Sequence, residues 1–360
     1  MARPEMSKRQ NWNGRNVLVT GGTGFIGSAL TRRLAELGAQ VIATTRDRSR
    51  QGRTEPGIYF VAPDKIRAAL SGVGIAFNLA YDLRRDAQEN IDLYYAFANI
   101  CASAGVSKLV QASTIAVYDD WPIRDVTEAS PCDGPGHDYK IAKRAMEKDL
   151  ERRVAAGQFD AVILQPTIVY GPGSPQWTLA LAERMAGGTL VLPDVDDGLC
   201  NGIYIDDVVE SFIAAAELPH GSAERYIISG PQPFSWNQML CAYAQACGAR
   251  VERQLAIPLS FASMHSLARP SLFSRLTRRA GAKAASLVGS SRLQQIRTRI
   301  VAMQPGRRIW QPASENPLLF RSKGVARTDK MQSQLFVPQI LAEEGLRRTC
   351  AYLKVRWQKS

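Results

Sequence analysis

Between residues 14 and 170, short aliphatic and β-branched runs recur, each followed by a longer segment whose apolar positions repeat at helical spacing. The runs are Val17–Thr20, Val41–Thr45, Ile58–Ala62, Ala76–Ala80, Leu109–Ser113 and Ala161–Gln165. Apolar strands alternating with helices are the pattern of a parallel sheet covered on both faces, so the chain is expected to be α/β and doubly wound. A Pro/Gly-rich stretch, Tyr170-Gly-Pro-Gly-Ser-Pro175, then breaks the rhythm. Beyond it, Ile203-Tyr-Ile-Asp-Asp-Val-Val209 reads as a strand entering a helix, Tyr226–Ser229 as another strand, and Val337–Leu353 as a closing helix. The expected division is a flexible polar tail over 1–13 and a dinucleotide-binding unit over 14–170, rejoined by 201–232. A smaller C-terminal substrate domain, 171–200 and 233–360, is interleaved with it rather than appended.

The first strand runs directly into glycines: Asn16-Val-Leu-Val-Thr-Gly-Gly-Thr-Gly-Phe-Ile-Gly27, then a helical segment over Ser28–Leu37 that Gly38 ends. Gly21, Gly24 and Gly27 between strand and helix let the backbone turn tightly and approach a pyrophosphate, and the amides of the helix N-terminus supply donors. The expected architecture is thus Rossmann-type, with a dinucleotide at this loop.

Composition narrows the rest. With 360 residues, 45% of them hydrophobic, the chain can bury a large core. No apolar run approaches the ~20 residues of a bilayer span, and Met1–Asn13 lacks the apolar centre of a secretion signal, so a soluble, cytoplasmic protein is expected. The six cysteines have no metal-ligand spacing and the three histidines lie far apart, which points to packed thiols and no metal. The net charge of +12 is concentrated in one segment: residues 250–330 hold sixteen Lys/Arg against three acidic residues. That segment lacks the interleaved aromatics of a nucleic-acid module, so no nucleic-acid partner is expected. Leu259, Phe261, Met264, Leu267, Leu272, Phe273 and Leu276 recur there near helical spacing beside Arg269, Arg275, Arg278 and Arg279. Three readings follow for the basic segment 257–321: packing onto the substrate domain with solvated arginines, peripheral membrane contact through 257–280, or a lid that collects an anionic small-molecule substrate. The chain allows a homodimer.

Candidate chemistry lies in Tyr139-Lys-Ile-Ala-Lys143, whose spacing puts both side chains on one helical face. An ammonium beside a phenol favours the phenolate, so Lys143 is expected to pull the Tyr139 pKa below about 10. The segment Leu109-Val-Gln-Ala-Ser-Thr-Ile-Ala-Val-Tyr118 ends a strand in the hydroxyls of Ser113 and Thr114, at the sheet edge where ligands bind. Thr114 can orient a substrate oxygen while Tyr139 moves the proton.

On these motifs the chain resembles the extended short-chain dehydrogenase/reductases, the NAD-dependent epimerase/dehydratase family, over most of 14–250 and again over 325–353. Thr20–Gly27 is similar to the family's cofactor loop, Asn78-Leu-Ala80 to its fourth-strand motif, Asn90 to its helical asparagine, and Ser113–Tyr118 to its Ser/Thr-x-x-Val-Tyr strand. Tyr139 and Lys143 match its catalytic pair, and Gln165-Pro-Thr-Ile-Val-Tyr-Gly-Pro-Gly173 and Tyr204–Val209 complete the series. The resemblance implies cofactor contacts at Gly21, Thr23, Gly24, Phe25, Ile26, Gly27, Leu79 and Ala80, with Lys143 on the nicotinamide ribose and Pro166 and Ile168 at the carboxamide. It implies substrate contacts at Tyr81, Ser113, Tyr118, Gln176 and Tyr204. Dehydration is disfavoured, because Ile115 and Ala116 stand where family dehydratases carry an acidic pair. The family's arginine before the sixth-strand proline is Gln165 here. Its pyrophosphate-gripping arginine falls near Cys200 and Asn201, leaving Arg321 as the candidate replacement.

Cofactor choice is read after the second strand, in Thr44-Thr45-Arg46-Asp47-Arg48: Arg46 suits a 2′-phosphate and favours NADP over NAD, while Asp47 keeps NAD open. Asp64 either contacts adenine or caps the helix beginning at Lys65. The expected activity is hydride transfer at a carbinol carbon of a sugar-like, nucleotide- or phosphate-linked substrate, as an epimerase or a ketoreductase. The alternatives are a reductase of a lipid-, carrier- or natural-product-linked carbonyl, and a non-catalytic dinucleotide-binding scaffold.

Overall fold

In the computed structural model the described residues are 11–195, 198–219, 222–255 and 309–358. The first ten residues of the expected tail, and the basic segment up to residue 308, lie outside them, and with these the membrane-contact and lid readings.

The sequence folds around an eight-stranded sheet. Its strands are β1 (Asn16–Thr20), β2 (Gln40–Thr44), β3 (Thr54–Glu55), β4 (Ile58–Val61), β5 (Ile75–Asn78), β6 (Lys108–Ala112), β7 (Asp160–Pro166) and β12 (Ser222–Ile228), ordered β12-β7-β6-β5-β1-β2-β4-β3. All neighbours are parallel except the short β3–β4 hairpin, which sequence pattern does not announce. Along β1, Val17 and Val19 enter the core on one face with Leu30 and Leu34, and Leu18 enters the opposite core with Ala76 and Ile91. Alternate residues of a strand point to opposite faces, so an apolar run with no polar alternation is what a sheet buried on both sides demands.

Helix α1 (Phe25–Glu36) covers the first face together with α6 (Ile205–Glu217), and α3 (Ala87–Ser103) and α4 (Asp138–Ala155) cover the second. Helix α3 starts at a capping box: the Asp86 carboxylate accepts from the Glu89 amide at 2.9 Å and the Glu89 carboxylate accepts from the Asp86 amide at 3.1 Å. After β1 the chain fills one side of the sheet with β2 and β4, then crosses to place β5 on the other side of β1. Thr20 and Asn78, the last residues of β1 and β5, therefore face each other across the point where strand order reverses, the crevice in which such sheets bind ligands.

Past β7 the elements shorten. The strand β8 (Ile168–Tyr170) pairs with β11 (Gly202–Tyr204), and β9 (Thr189–Pro193) lies between β14 (Arg250–Gln254) and β15 (Ile309–Trp310). The closing helix runs Ala342–Gln358 and packs on α7 (Trp236–Ala246). It begins later than the apolar pattern from Val337 implies, since Pro338 supplies no amide and the Asp207 carboxylate takes the amides of Gln339 and Ile340 at 3.0 and 2.8 Å. Among the described residues no helix is long and apolar enough to cross a membrane, and no cluster of His, Cys, Asp or Glu could hold a metal.

Candidate active site

The glycine loop is built for close approach. Gly21 has φ +66°, a conformation that favours glycine, and a Cβ on Gly27 would lie 2.1 Å from the Gly21 carbonyl oxygen. Helix α1 starts at Gly24 with no side-chain cap, so its first amides stay available to an anion. The Thr44 hydroxyl accepts from the Gly21 amide at 2.9 Å, which fixes the loop against the end of β2. These residues fit a dinucleotide pyrophosphate: a cradle a Cβ would fill, at the start of a helix that no side chain caps.

A row of buried polar side chains crosses the carboxyl edge of the sheet from this loop. The Thr20 hydroxyl donates to Asn78 Oδ1 at 2.6 Å and accepts from the Leu79 and Ala80 amides at 3.2 Å. The Asn78 Nδ2 donates to Gln111 Oε1 at 2.9 Å, and Gln111 Nε2 to the Ala112 carbonyl at 2.8 Å. That same carbonyl accepts from Lys143 Nζ at 2.7 Å. One hydrogen-bonded row thus ties the cofactor loop to the lysine.

Around Lys143 the expected catalytic groups converge. The Tyr81 and Tyr139 rings meet edge to face at 4.8 Å, and the lysine nitrogen lies 5.3 Å from the Tyr81 centroid and 5.7 Å from that of Tyr139. Thr114 ends the strand as the cap of a short 3-10 turn, accepting from the Ala116 amide at 3.2 Å, and hydrogen-bonds the Tyr139 hydroxyl. The titration of the pair differs from the expectation drawn from spacing alone. Burial pushes the Tyr139 phenol up from 10.0, the Thr114 hydrogen bond opposing it, and burial holds Lys143 down at about 8, with Glu147 opposing. A phenol so placed is protonated at neutral pH.

Beneath the lysine, Glu147 is 1% exposed. It accepts from the Ser113 hydroxyl and from Gln165 Nε2 at 3.0 Å, and Arg225 Nε of β12 lies 3.4 Å away. Gln165 Oε1 in turn accepts from the Tyr118 hydroxyl at 2.7 Å. The hydroxyls of Ser113 and Tyr118, which the resemblance places against substrate, bond within the protein, to Glu147 and to Gln165.

The remaining candidates scatter. Arg46, 65% exposed at its side chain, pairs with Asp82 at 2.7 Å, and Asp82 also accepts from Arg84. Those two guanidiniums hold the Asp82 carboxyl at about 2. Asn90 fixes this loop, accepting from the Asp82 amide at 3.0 Å and donating to the Asp82 carbonyl at 3.1 Å. Thr23, at the exposed tip of the glycine loop, approaches Thr45 at 3.5 Å, and Phe25 and Ile26 open α1. Asp64 lies exposed in the 3-10 turn Pro63–Lys65, whose cap position is Ala62, so it caps no helix. Pro166 and Ile168 are buried where β7 passes into β8. Tyr204 is 4% exposed, packed 5.7 Å from Tyr170 and under the Arg348 guanidinium, and so is part of the core. Gln176 is exposed in the turn Pro175–Leu179, and Arg321 is half-buried after the short helix Pro317–Phe320. Cys200 is fully buried, and both amide atoms of Asn201 are taken by the backbone of Gly324 and Ala326 at 2.9 Å.

Comparison with known proteins agrees with this geometry. The profile of the NAD dependent epimerase/dehydratase family matches residues 17–229, and the chain belongs to that family of dinucleotide-dependent oxidoreductases and epimerases. The chain is similar to a 2-alkyl-3-oxoalkanoate reductase of Stenotrophomonas maltophilia, 28% identical over 68% of this chain and 80% of the relative. A UDP-glucose 4-epimerase of Mycolicibacterium smegmatis is 29% identical over 67% and 85% of the two chains. Among solved structures, the UDP-glucose 4-epimerase of Thermotoga maritima superposes with a TM-score of 0.66 at 20% identity, over 95% of this chain and 99% of that one.

Proposed function

We propose that the protein is an NADPH-dependent reductase of a carbonyl carried by a substrate without a nucleotide handle, such as a 3-oxoacyl compound. The observation that carries this reading is the Thr114–Tyr139 hydroxyl pair over a buried Lys143, with the phenol pushed up by burial. A protonated phenol is a proton donor, and reduction needs one: as a carbonyl carbon accepts hydride, its oxygen gains charge and must take a proton. Thr114 gives the second hydrogen bond to that oxygen, and the Lys143 ammonium lowers the cost of the phenolate that Tyr139 becomes. The nicotinamide, when bound, supplies the hydride. The residues to hold it are Gly21–Gly27, Leu79, Ala80, Lys143, Pro166 and Ile168, with Arg46 for a 2′-phosphate and Asp64 near adenine.

Cys200 and Asn201 favour a handle other than a sugar nucleotide, since a buried thiol and an amide committed to backbone cannot grip a pyrophosphate. The similarity to the 2-alkyl-3-oxoalkanoate reductase favours the 3-oxoacyl class. The test incubates purified protein with NADPH or NADH and, separately, 3-oxo esters, 2-alkyl-3-oxo acids and UDP-sugars. Net NADPH consumption with a 3-oxo compound, lost in Tyr139→Phe with cofactor binding retained, is the expected result. Interconversion of UDP-glucose and UDP-galactose without net consumption of reduced cofactor would overturn the reading in favour of an epimerase.

A further inference from the structure

We propose that Tyr81 is a positioning residue for the reaction, its ring closing the corner in which the Lys143 ammonium and the Tyr139 phenol are held together. The inference rests on Tyr139 and Lys143 being the catalytic pair, and goes beyond it by naming what keeps the two together from outside their own helix. The resemblance implies a substrate contact at Tyr81; the contacts of its ring within the protein point to a different task.

Tyr81 reaches the pair from the loop after β5, and that loop is pinned on both sides of it. The amides of Leu79 and Ala80 donate to the Thr20 hydroxyl at 3.2 Å. On the other side the Asp82 amide donates to Asn90 Oδ1 at 3.0 Å, and the Asp82 carbonyl accepts from Asn90 Nδ2 at 3.1 Å. Both anchors, Thr20 and Asn90, are buried. With its neighbours fixed, Tyr81 has little backbone freedom, and its half-buried ring packs against the core that α3 and α4 cover.

There the ring meets both members of the pair. The Tyr81 and Tyr139 rings stand 88° apart with centroids 4.8 Å from each other, the edge-to-face arrangement in which the positive rim of one ring lies on the negative face of the other. Lys143 Nζ sits 5.3 Å from the Tyr81 centroid and 5.7 Å from that of Tyr139, so the ammonium occupies the corner between two perpendicular rings. Both distances lie within the reach of a cation–π attraction, about 6 Å. Among the described residues its remaining contact is the Ala112 carbonyl at 2.7 Å, and no carboxylate forms an ion pair with it. Lys143 is buried, so the two π faces stand in for part of the water its ammonium gives up. Glu147 acts on Lys143, and Asp86 and Asp138 on Tyr81, without pairing with them. Burial pushes the Tyr81 hydroxyl up to about 12, so the ring is neutral across the range in which Lys143 titrates.

The experiment reads Lys143 first and needs no substrate. Protein labelled at lysine side chains with carbon-13 and nitrogen-15 is titrated by NMR, with Lys143→Arg identifying the signal. A cation–π attraction favours the charged form, so in Tyr81→Leu the Lys143 midpoint should fall by about half a pH unit to about one unit, and Tyr81→Phe, which keeps the ring, should hold it at the wild-type value. Lys108, a buried lysine at the start of β6, should not move in either variant and guards against a defect of the fold. Tyr81→Met replaces the leucine variant, with the same expectation, should that one fail to fold. Oxidation of NADPH with a 3-oxo ester, ethyl 3-oxooctanoate, then separates positioning from substrate contact. Tyr81→Leu should lower kcat about tenfold with KM within about twofold of wild type, and Tyr81→Phe should recover most of the loss. A Lys143 midpoint in Tyr81→Leu at or above the wild-type value would overturn the proposal, as would a rise in KM with kcat retained, which marks a substrate contact. Full turnover in Tyr139→Phe would instead fail the catalytic pair, a separate result; if the ester is not turned over at all, the titration alone decides.

Discussion

At the scale of single residues the site is defined by how burial shifts proton equilibria in opposite senses. Lys143, 3% exposed, titrates near 8 rather than 10.5, and this has a consequence for stability with a definite sign. Below about pH 8 both the folded and unfolded chains carry the proton, and the folded state bears the full cost of a buried ammonium. Between about 8 and about 10.5 the unfolded chain still holds a proton that the folded one has released, so the cost is relieved as pH rises. In urea unfolding, wild type should therefore gain on Lys143→Met by about 2–3 kcal/mol between about pH 7 and about pH 10. A constant difference would mean that Lys143 is not held down. Arg46 bears on cofactor choice. Its pairing with Asp82 holds it beside the loop that follows β5, and the proposed NADPH preference assigns it to the 2′-phosphate. Arg46→Ala should weaken NADPH binding by about 1.5–3 kcal/mol, the worth of a hydrogen bond to a charged group, and leave NADH binding nearly unchanged. Calorimetry with both dinucleotides reads the difference, and equal losses would remove Arg46 from the phosphate site.

At the scale of elements, the glycine turn between β1 and α1 depends on backbone contact that no side chain tolerates. A Cβ at Gly27 meets the Gly21 carbonyl carbon at 2.8 Å as well as its oxygen, so Gly27→Val must push helix and strand apart. The cost should be about 1–3 kcal/mol of stability, the usual range for overpacking, together with loss of measurable dinucleotide binding. Gly52→Ala provides the contrast: its φ of +75° makes a side chain there cost about 1 kcal/mol, but the Cβ stands in open space on an exposed turn and dinucleotide binding should stay intact. The same turn illustrates what sequence makes legible. Where a strand is buried on both faces its residues are uniformly apolar, so the runs at Val17, Val41, Ile58, Ala76, Leu109 and Ala161 locate their strands to within one or two residues. Motifs whose spacing is local, Gly21–Gly27 and Tyr139–Lys143, are equally visible. Contacts made between distant strands are not. Glu147 and Arg225 meet only because β12 adds to the edge of β7, and Thr20, Asn78 and Gln111 form a row only because β1, β5 and β6 lie side by side. The partners of the Ser113 and Tyr118 hydroxyls were equally hidden, since a hydroxyl in a motif can face substrate or core and the sequence carries no mark of which. A buried acid four residues beyond Lys143 on an otherwise packed helical face was the one available signal for Glu147.

At the scale of the whole molecule, residues 324–340 bind the late chain back onto the dinucleotide-binding sheet and its flanking loops, and the contacts differ greatly in worth. Ala326 bridges Val126, and the adjacent Arg327 pairs with Asp125 where both side chains are about half exposed, 53% and 45%. Asn201 lies within the protein at 2% exposure, donating to the Gly324 carbonyl and accepting from the Ala326 amide, both at 2.9 Å. Gly324 has no room to reposition, since a Cβ there would already lie 2.3 Å from the Arg124 carbonyl oxygen. Removing the Asn201 amide strands two backbone groups at once in a place water does not reach, and an unmade buried hydrogen bond costs more than a made one contributes. Asn201→Ala should therefore lower stability by about 2–4 kcal/mol, whereas Arg327→Ala, which gives up a solvated ion pair, should cost less than about 1 kcal/mol. Urea unfolding of the two variants beside wild type makes the comparison directly. Because the resemblance puts a phosphate-gripping arginine near Cys200 and Asn201, an arginine placed at this committed amide is a sharper test: Asn201→Arg should destabilise the protein at least as much as alanine does and confer no affinity for UDP-sugars. A stable Asn201→Arg protein that binds a UDP-sugar would show that the position is a ligand site, and that its hydrogen bonds to 324 and 326 are dispensable to the fold.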